Sequence, residues 1–239
     1  KGIYAPTISY HDGTCYLITT NVHGKGNFIV TASNPSGPWS DPCWLEDADG
    51  IDPSLFFDDD GSAWYVGTHP VPEGPRYDGN WEIWLKRLNL STMSLTGETY
   101  PLWRGALREV IWPEGPHIYK INGLYYLLYA EGGTGHHHSV CVTRSEKITG
   151  PYQIHMGNPI LTHRHLGLDY PVVNTGHADM VDTPNGEWWM VLLASRPHGG
   201  YFRNLGRETF MVPVKWEDGW PVVSPGTGKI EKSYPVPDL

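Results

Sequence analysis

Two acidic residues, Asp52 and Glu114, stand at the start of short strand-like segments that continue into aromatic-rich hairpins. A third segment of this kind begins at His177, and the first one in the chain begins at Ala5. If the four starting positions converge, two carboxylates meet over one pocket, where one can protonate a leaving oxygen while the other assists. Cleavage of a glycosidic bond uses such a pair. Because Asp before Pro is also a common turn residue, the spacing of the segments has to decide between the two roles.

The four starting positions are 47, 62 and 63 residues apart, which indicates a repeat. The flanking runs are rich in β-branched and aromatic residues, as strands prefer. Each segment carries a dipeptide typical of a tight hairpin, and the four dipeptides are Asp12-Gly13, Asp60-Gly61, Asn122-Gly123 and Asn185-Gly186. Repeats of this length, with about four short strands each, are typical of propeller blades. The sequence therefore predicts an all-β chain, a β-propeller in which the starting residues line one funnel.

Composition excludes several classes of function. The net charge of −9 over 239 residues leaves no basic stripe for nucleic acid, and no apolar run approaches the ~18 residues of a membrane span. The three cysteines (Cys15, Cys43 and Cys141) are odd in number and widely spaced, which argues against a disulfide framework or a zinc site. The first residues already have the pattern of a strand, so we expect the true N-terminus to lie upstream, and a cytoplasmic or a secreted location fits equally well.

The motifs GIDPSLFF, WPEGPHIYK, EGGTG, NTGHADMV and NLGRETFMVPVKWEDGWPVV, in this order along the chain, resemble glycoside hydrolase family 43. Within that family they are most similar to the β-xylosidase and α-L-arabinofuranosidase branch. The resemblance implies a five-bladed β-propeller and a reaction that inverts the anomeric centre. Only about four blades are present in this chain. We expect residues 1–221 to form the catalytic propeller without its N-terminal blade, and residues 222–239 to form a C-terminal tail or linker.

The resemblance assigns roles to individual residues. Glu114 matches the general acid, and Asp52 matches the carboxylate that holds this acid in position and adjusts its pKa. A like charge beside an acid raises its pKa, which gives the second role a physical basis. The general-base Asp of the family lies on the first blade and is absent from this chain. Arg207 matches an arginine that reaches the substrate hydroxyls, although an ion pair with Glu208 is the alternative.

Four further expectations concern the rim of the pocket. Tyr4 is a candidate platform for stacking a sugar ring, unless it faces the core of its blade. His136 follows the EGGTG loop and is a candidate sugar contact. In the family the histidine matched by His177 lies near the axis and can bind a water or a divalent ion, so a calcium ion near His177 is the one metal considered, and a hydrogen-bonded core histidine is the alternative. No cofactor is required.

These expectations combine into one function with two alternatives. We expect an inverting, exo-acting glycosidase on xylo-oligosaccharides or α-L-arabinofuranosides, with a small oligosaccharide as substrate and neither nucleic acid nor membrane as partner. A carbohydrate-binding propeller without turnover and an endo-arabinanase are the alternatives. The tail can lead to a C-terminal β-sandwich domain, and an oligomer is also compatible with the sequence.

Overall fold

The computed structural model describes residues 2–105 and 109–238, and within these ranges the chain forms sixteen strands and no helix. A helix long and apolar enough to cross a membrane is accordingly not found among the described residues. The strands are β1 (Gly2–His11), β2 (Thr14–Val22), β3 (Gly26–Ala32), β4 (Cys43–Trp44), β5 (Ile51–Phe57), β6 (Ala63–Pro70), β7 (Trp81–Asn89), β8 (Ser94–Trp103), β9 (Glu114–Ile121), β10 (Leu124–Glu131), β11 (Ser139–Ser145), β12 (Gln153–Ile154), β13 (Val173–Asp182), β14 (Trp188–Ser195), β15 (Glu208–Glu217) and β16 (Trp220–Val223).

Consecutive strands form four separate four-stranded sheets: β1–β4, β5–β8, β9–β12 and β13–β16. Neighbouring strands of the first, second and fourth sheets are antiparallel. A four-stranded meander repeated along the chain is the blade of a β-propeller. The predicted all-β propeller is therefore confirmed, and the described chain supplies four blades.

Two compact units divide these sheets. Unit 1 comprises residues 1–127 and 144–152, and unit 2 comprises residues 128–143 and 153–239. The core of unit 1 includes Ile18, Ile29, Leu55, Tyr65 and Trp84. Unit 2 buries a second set that includes Leu128, Tyr129, Leu161, Met190 and Leu192.

The innermost strand of each blade has an irregularity near its start. The pairing register shifts by a bulge in β1, β5 and β13, and the residues there with left-handed backbone are Ala5, Asp52 and His177, with φ of 42°, 53° and 52°. In the third blade the left-handed residue is Gly115, with φ of 56°. The predicted repeat anchor at Glu114 is therefore wrong by one residue. A bulge favours glycine, which adopts positive φ without steric cost, and Glu114 precedes it.

The predicted hairpin turns fall into two kinds. Both residues have positive φ in Asp12-Gly13 and Asn122-Gly123, as two-residue turns require. Only the glycine does so in Asp60-Gly61 and Asn185-Gly186. The second kind is a longer loop: between β5 and β6, the backbone N–H of Asp58 bonds to the carbonyl of Ser62 at 2.8 Å.

Candidate active site

The two candidate catalytic carboxylates belong to neighbouring inner strands of unit 1. Strand β5, which carries Asp52, packs against β9, which begins at Glu114. The hydroxyl of Ser54 donates a hydrogen bond to the carbonyl oxygen of Pro116 at 2.6 Å. Ser54 lies two residues after Asp52, and Pro116 lies two residues after Glu114. The bond therefore brings the starts of both strands, and with them the two acidic residues, to the same end of unit 1.

Asp52 is buried, with 6% of its surface exposed, and its left-handed backbone is unusual for a residue with a side chain. The hydroxyl of Thr7, from β1, donates to the carbonyl of the adjacent Pro53 at 3.1 Å. Burial raises the pKa of the Tyr65 phenol, and the negative charges of Asp52 and Asp49 raise it further. The charge of Asp52 thus acts on a side chain of the blade core, because Tyr65 is completely buried.

A buried polar network surrounds the Tyr65 hydroxyl. The side-chain amide of Asn27 donates to this oxygen at 3.2 Å, and to the carbonyls of Ala48 and Gly50 at 2.7 and 3.2 Å. The amide oxygen of Asn27 accepts a bond of 2.6 Å from the Thr20 hydroxyl. Every polar atom of the Asn27 side chain is therefore satisfied, which fixes the loop leading into β5.

The segment around Glu114 is held by a second hydroxyl. Thr68, fully buried on β6, donates to the carbonyl of Pro113 at 2.6 Å. Two left-handed residues flank Glu114, because Trp112 has φ of 47° and Gly115 has φ of 56°. Glu114 itself is half-buried. The acid candidate thus sits on a kinked stretch of backbone that neighbouring strands anchor on both sides.

Unit 2 contains the predicted sugar-binding arginine. Arg207 is exposed and lines an open cavity of about 380 Å³, together with Thr134, Ser195, Tyr201, Phe202, Arg203 and Gly206. The Arg203 guanidinium lies 4.4 Å from the centre of the Tyr201 ring. Glu208 accepts hydrogen bonds from the Arg196 guanidinium, with Nε at 2.9 Å. The alternative of an Arg207–Glu208 ion pair is therefore not what the structure shows.

A buried histidine, His138, lies beside two of the predicted residues. Burial lowers the pKa of His138 to about 3, the charges of His177 and Arg207 lower it further, and a bond of 3.0 Å between Nδ1 and the carbonyl of Asn174 opposes them. The ring is therefore neutral at pH 7, with its proton on Nδ1. A Cβ on Gly176 would lie 2.4 Å from this ring, so only glycine fits there.

The calcium expected near His177 can be tested against the surrounding donors. Hard cations require several oxygen ligands, and a single imidazole is a poor one. Among residues 2–105 and 109–238, no group of three His, Cys, Asp or Glu side chains is arranged to hold a metal ion. An ion beside His177 would therefore have to take most of its ligands from water or from backbone oxygens.

The remaining predicted residues lie in different units. Tyr4 is 49% exposed on β1 of unit 1, so it does not face the core of its blade. His136 is half-buried in unit 2, where its ring meets the Tyr201 ring edge-on at 6.0 Å. Unit 1 thus contains Tyr4, Asp52 and Glu114, whereas unit 2 contains Arg207, His177 and His136.

Several residues of the site escaped the sequence analysis. Ser54 belongs to the IDPS motif, in which only Asp52 indicates a chemical role. Tyr201 follows a Gly-Gly pair that predicts no function. Thr68, Asn27 and His138 carry no local signal at all, since their partners are 45, 21 and 36 residues away. Ser54 shares one signal with Thr7, since each stands two residues after the left-handed residue of its strand.

The comparisons with known proteins agree on one family. Residues 1–221 match the model of glycosyl hydrolases family 43. A "Xylosidase/arabinosidase" of Butyrivibrio fibrisolvens is 58% identical over 96% of this chain and 45% of its own length. A "Non-reducing end alpha-L-arabinofuranosidase" of Bacteroides ovatus is 41% identical over the whole chain and 43% of its own length.

The solved structures give the same result. The crystal structure of a xylan β-1,4-xylosidase from Bacillus halodurans superposes with a TM-score of 0.89 at 39% identity, and the match covers 100% of this chain and 46% of that one. The chain spans somewhat less than half the length of the curated relatives it matches. With a family model matching more than nine-tenths of its residues, the chain belongs to glycosyl hydrolase family 43.

Proposed function

We propose that the protein is an inverting, exo-acting glycosidase on xylo-oligosaccharides or α-L-arabinofuranosides, with Glu114 as general acid and Asp52 as the group that raises the pKa of this acid. The observation that carries the proposal is the Ser54–Pro116 hydrogen bond of 2.6 Å, since it ties the strand bearing Asp52 to the strand bearing Glu114. The reaction also requires a carboxylate that activates water, a role that neither residue of this pair takes.

The acid step follows from the two environments. In the proposed pair Asp52 carries the negative charge, and a like charge makes ionisation of the other carboxyl less favourable. Glu114 therefore stays protonated near neutral pH and donates its proton to the leaving oxygen as the glycosidic bond breaks. A water molecule attacks the anomeric carbon from the opposite face in the same step, which inverts the configuration.

The attacking water needs a general base, and the left-handed positions of the four blades supply only one carboxylate. These positions are Ala5, Asp52, Gly115 and His177. The side chains of Ala5 and Gly115 offer no proton acceptor, and the family uses an aspartate as the base and not an imidazole. We expect the base to come from a part of the full-length protein that this sequence does not include.

The proposed substrate contacts are Tyr4 within unit 1 and, within unit 2, Arg207, His136 and His177. Arg207 offers a guanidinium that can donate to two sugar hydroxyls at once, and the open cavity beside it has room for a pentose. His136 and His177 are further polar contacts, and Tyr4 offers an aromatic face to the apolar side of the ring. The names of the Butyrivibrio and Bacteroides relatives favour xylosides and arabinofuranosides as substrates.

The acid role is tested by the leaving group. In the full-length protein, Glu114→Ala should lower kcat on xylobiose by about 10³-fold, since general acid catalysis contributes 10²–10⁴. On 4-nitrophenyl xyloside, whose leaving group needs little protonation, the loss should stay below about tenfold. Arg196→Gln, which removes an exposed guanidinium bonded to Glu208, serves as the control and should leave both rates unchanged. Equal losses on the two substrates would show that Glu114 is not the acid.

Two product analyses test the remaining parts of the proposal. Proton NMR at early times should show α-xylose from a β-xyloside, because inversion reverses the anomeric configuration. Digestion of a xylotetraose or arabino-oligosaccharide should release single sugars from one end, whereas internal cuts would favour the endo-arabinanase.

A carbohydrate-binding propeller without turnover is the second candidate, favoured by Ala5 at the position where Asp52 stands in the next blade. Calorimetric binding of xylobiose without release of xylose by the full-length protein would support this candidate and overturn the enzymatic one.

A further inference from the structure

We infer that the hydroxyl groups of Ser54 and Thr68 position the carboxyl of Glu114. Each hydroxyl holds one backbone carbonyl close to Glu114 in the chain, and the rate of proton donation depends on both of these bonds. The inference rests on the proposed function, since it presupposes that Glu114 is the general acid. Both hydroxyls are bonded to backbone carbonyls, so their role is to hold the backbone that carries the acid.

The two bonds bracket the acid along the chain. Thr68 donates to the carbonyl of Pro113, immediately before Glu114, and Ser54 donates to the carbonyl of Pro116, two residues after it. Both distances are 2.6 Å, and the two donors are 0% and 2% exposed. Breaking either bond would leave a buried hydroxyl donor and a carbonyl acceptor without each other, which makes both bonds costly to lose in the folded state.

The Thr68 hydroxyl has a second neighbour, the carbonyl of Glu82 at 3.0 Å. A hydroxyl carries one proton, and the Pro113 carbonyl is the closer acceptor by 0.4 Å. Both carbonyl oxygens hold the Thr68 side chain in place. The bond to Pro113 is the one that connects Thr68 to the backbone next to Glu114.

The hydrogen bond from Ser54 has a counterpart in the preceding blade. Thr7 stands two residues after the left-handed Ala5 and donates to Pro53, one residue after the left-handed Asp52. Ser54 stands two residues after Asp52 and donates to Pro116, one residue after the left-handed Gly115. The same relation therefore links successive inner strands of unit 1, and it positions Asp52 in one case and Glu114 in the other.

The acid segment needs this support more than an ordinary strand does. Trp112 and Gly115 both have positive φ, so the backbone bends twice within four residues. Pro113 and Pro116 have no N–H with which to join a sheet ladder. The two carbonyl anchors compensate for these two absent N–H donors, and a displacement of the acid by 1 Å is enough to cost about 10²-fold in rate.

The test replaces each hydroxyl by an isosteric or smaller apolar group in the full-length protein. Thr68→Val and Ser54→Ala should each lower kcat on xylobiose by about 10- to 30-fold, while kcat on 4-nitrophenyl xyloside falls less than about threefold and KM changes little. Thr68→Ser and Ser54→Thr keep the hydroxyl and should restore most of the rate on xylobiose.

Ser139→Ala is the matched control, because Ser139 is also buried and donates to a backbone carbonyl, that of Glu131 at 3.3 Å in unit 2. It should leave the ratio of the two rates unchanged. Circular dichroism and thermal unfolding of every variant identify any that fail to fold, and the hydroxyl-retaining variants then carry the test.

Glu114→Ala in the same assays separates the two hypotheses. If Glu114→Ala itself loses both rates equally, the assignment of the acid fails. If Glu114→Ala is selective for the poor leaving group but Thr68→Val and Ser54→Ala lose both rates equally, or lose neither, the acid stands and the positioning role is wrong.

Discussion

Strands β1 and β5 occupy the same place in successive blades, but their surroundings differ. Strand β5 is buried along nearly its whole length. Strand β1 carries exposed apolar side chains, and the exposed fractions are 54% for Ile3, 49% for Tyr4, 53% for Ile8 and 70% for Tyr10. Both strands have the bulge, the proline and a hydroxyl residue two positions after the left-handed residue, so the difference does not arise from the local pattern.

The difference arises from neighbours. Strand β5 packs against β1 on one side and β9 on the other, whereas the opposite side of β1 bears the exposed apolar residues. The chemistry follows the same division: the covered strand carries Asp52, and the uncovered strand carries Ala5 at the equivalent left-handed position. Within residues 1–239, the burial of an inner strand therefore follows the strands that pack against it.

The largest effect is expected where burial differs most between equivalent positions. Leu55 and Ile8 both stand three residues after the left-handed residue, but Leu55 is 8% exposed and Ile8 is 53% exposed. Leu55→Ala should lower the free energy of unfolding by about 3 kcal/mol, because it opens a cavity in the core of unit 1. Ile8→Ala should cost less than about 0.5 kcal/mol. Chemical denaturation measures both, and equal costs would contradict the comparison.

The next effect concerns activity. Asp52→Asn keeps the shape of the side chain and tolerates the left-handed backbone, so it removes only the charge. We expect kcat on xylobiose to fall by about 30- to 100-fold. The alkaline limb of the pH–rate profile should move to lower pH, because the anion that raises the pKa of the acid is gone.

Ala5→Asn is the matched control for this variant, since it places the same side chain at the same backbone position on the uncovered strand. It should change kcat by less than about threefold. An unshifted alkaline limb in Asp52→Asn would remove the pKa role from Asp52, even if the rate fell.

The comparison of β1 with β5 also shows which features of the fold and the site the sequence predicts. The repeat spacing and the hairpin dipeptides were enough to predict four blades of strands, because each signal is local. The anchor at Glu114 was wrong by one residue, since the position of a bulge depends on which residue accepts positive φ, and Gly115 does so more readily. The hydrogen bonds from Ser54 and Thr68 join residues that are 62 and 45 positions apart, so no local sequence pattern predicts them.

The smallest difference in stability between β1 and β5 is expected in the turns that follow them. Asp58 and Asp12 are each the first residue after their inner strand. Asp58 is buried and accepts hydrogen bonds from Lys120 at 2.6 Å and Tyr125 at 2.7 Å, both from the third blade, while Asp12 is exposed. Burial acts to raise the pKa of Asp58, but the bonds from Lys120, Tyr125 and the backbone N–H of Asp59 outweigh it and hold the pKa below the usual value of 3.8.

A carboxyl whose pKa is lowered by folding stabilises the fold above its unfolded pKa, and the stabilisation is lost as the pH falls through the lowered value. Asp58→Asn should therefore cost about 1–2 kcal/mol of unfolding free energy at pH 7, and Asp12→Asn should cost less than about 0.5 kcal/mol. Urea denaturation of both variants and the parent protein between pH 7 and pH 3 measures the costs. The cost of Asp58→Asn should shrink below about pH 4, as the parent carboxyl becomes protonated and loses its ion pair with Lys120. A cost that stays constant over this range would mean that the contact between the turn and the next blade depends on shape rather than on charge.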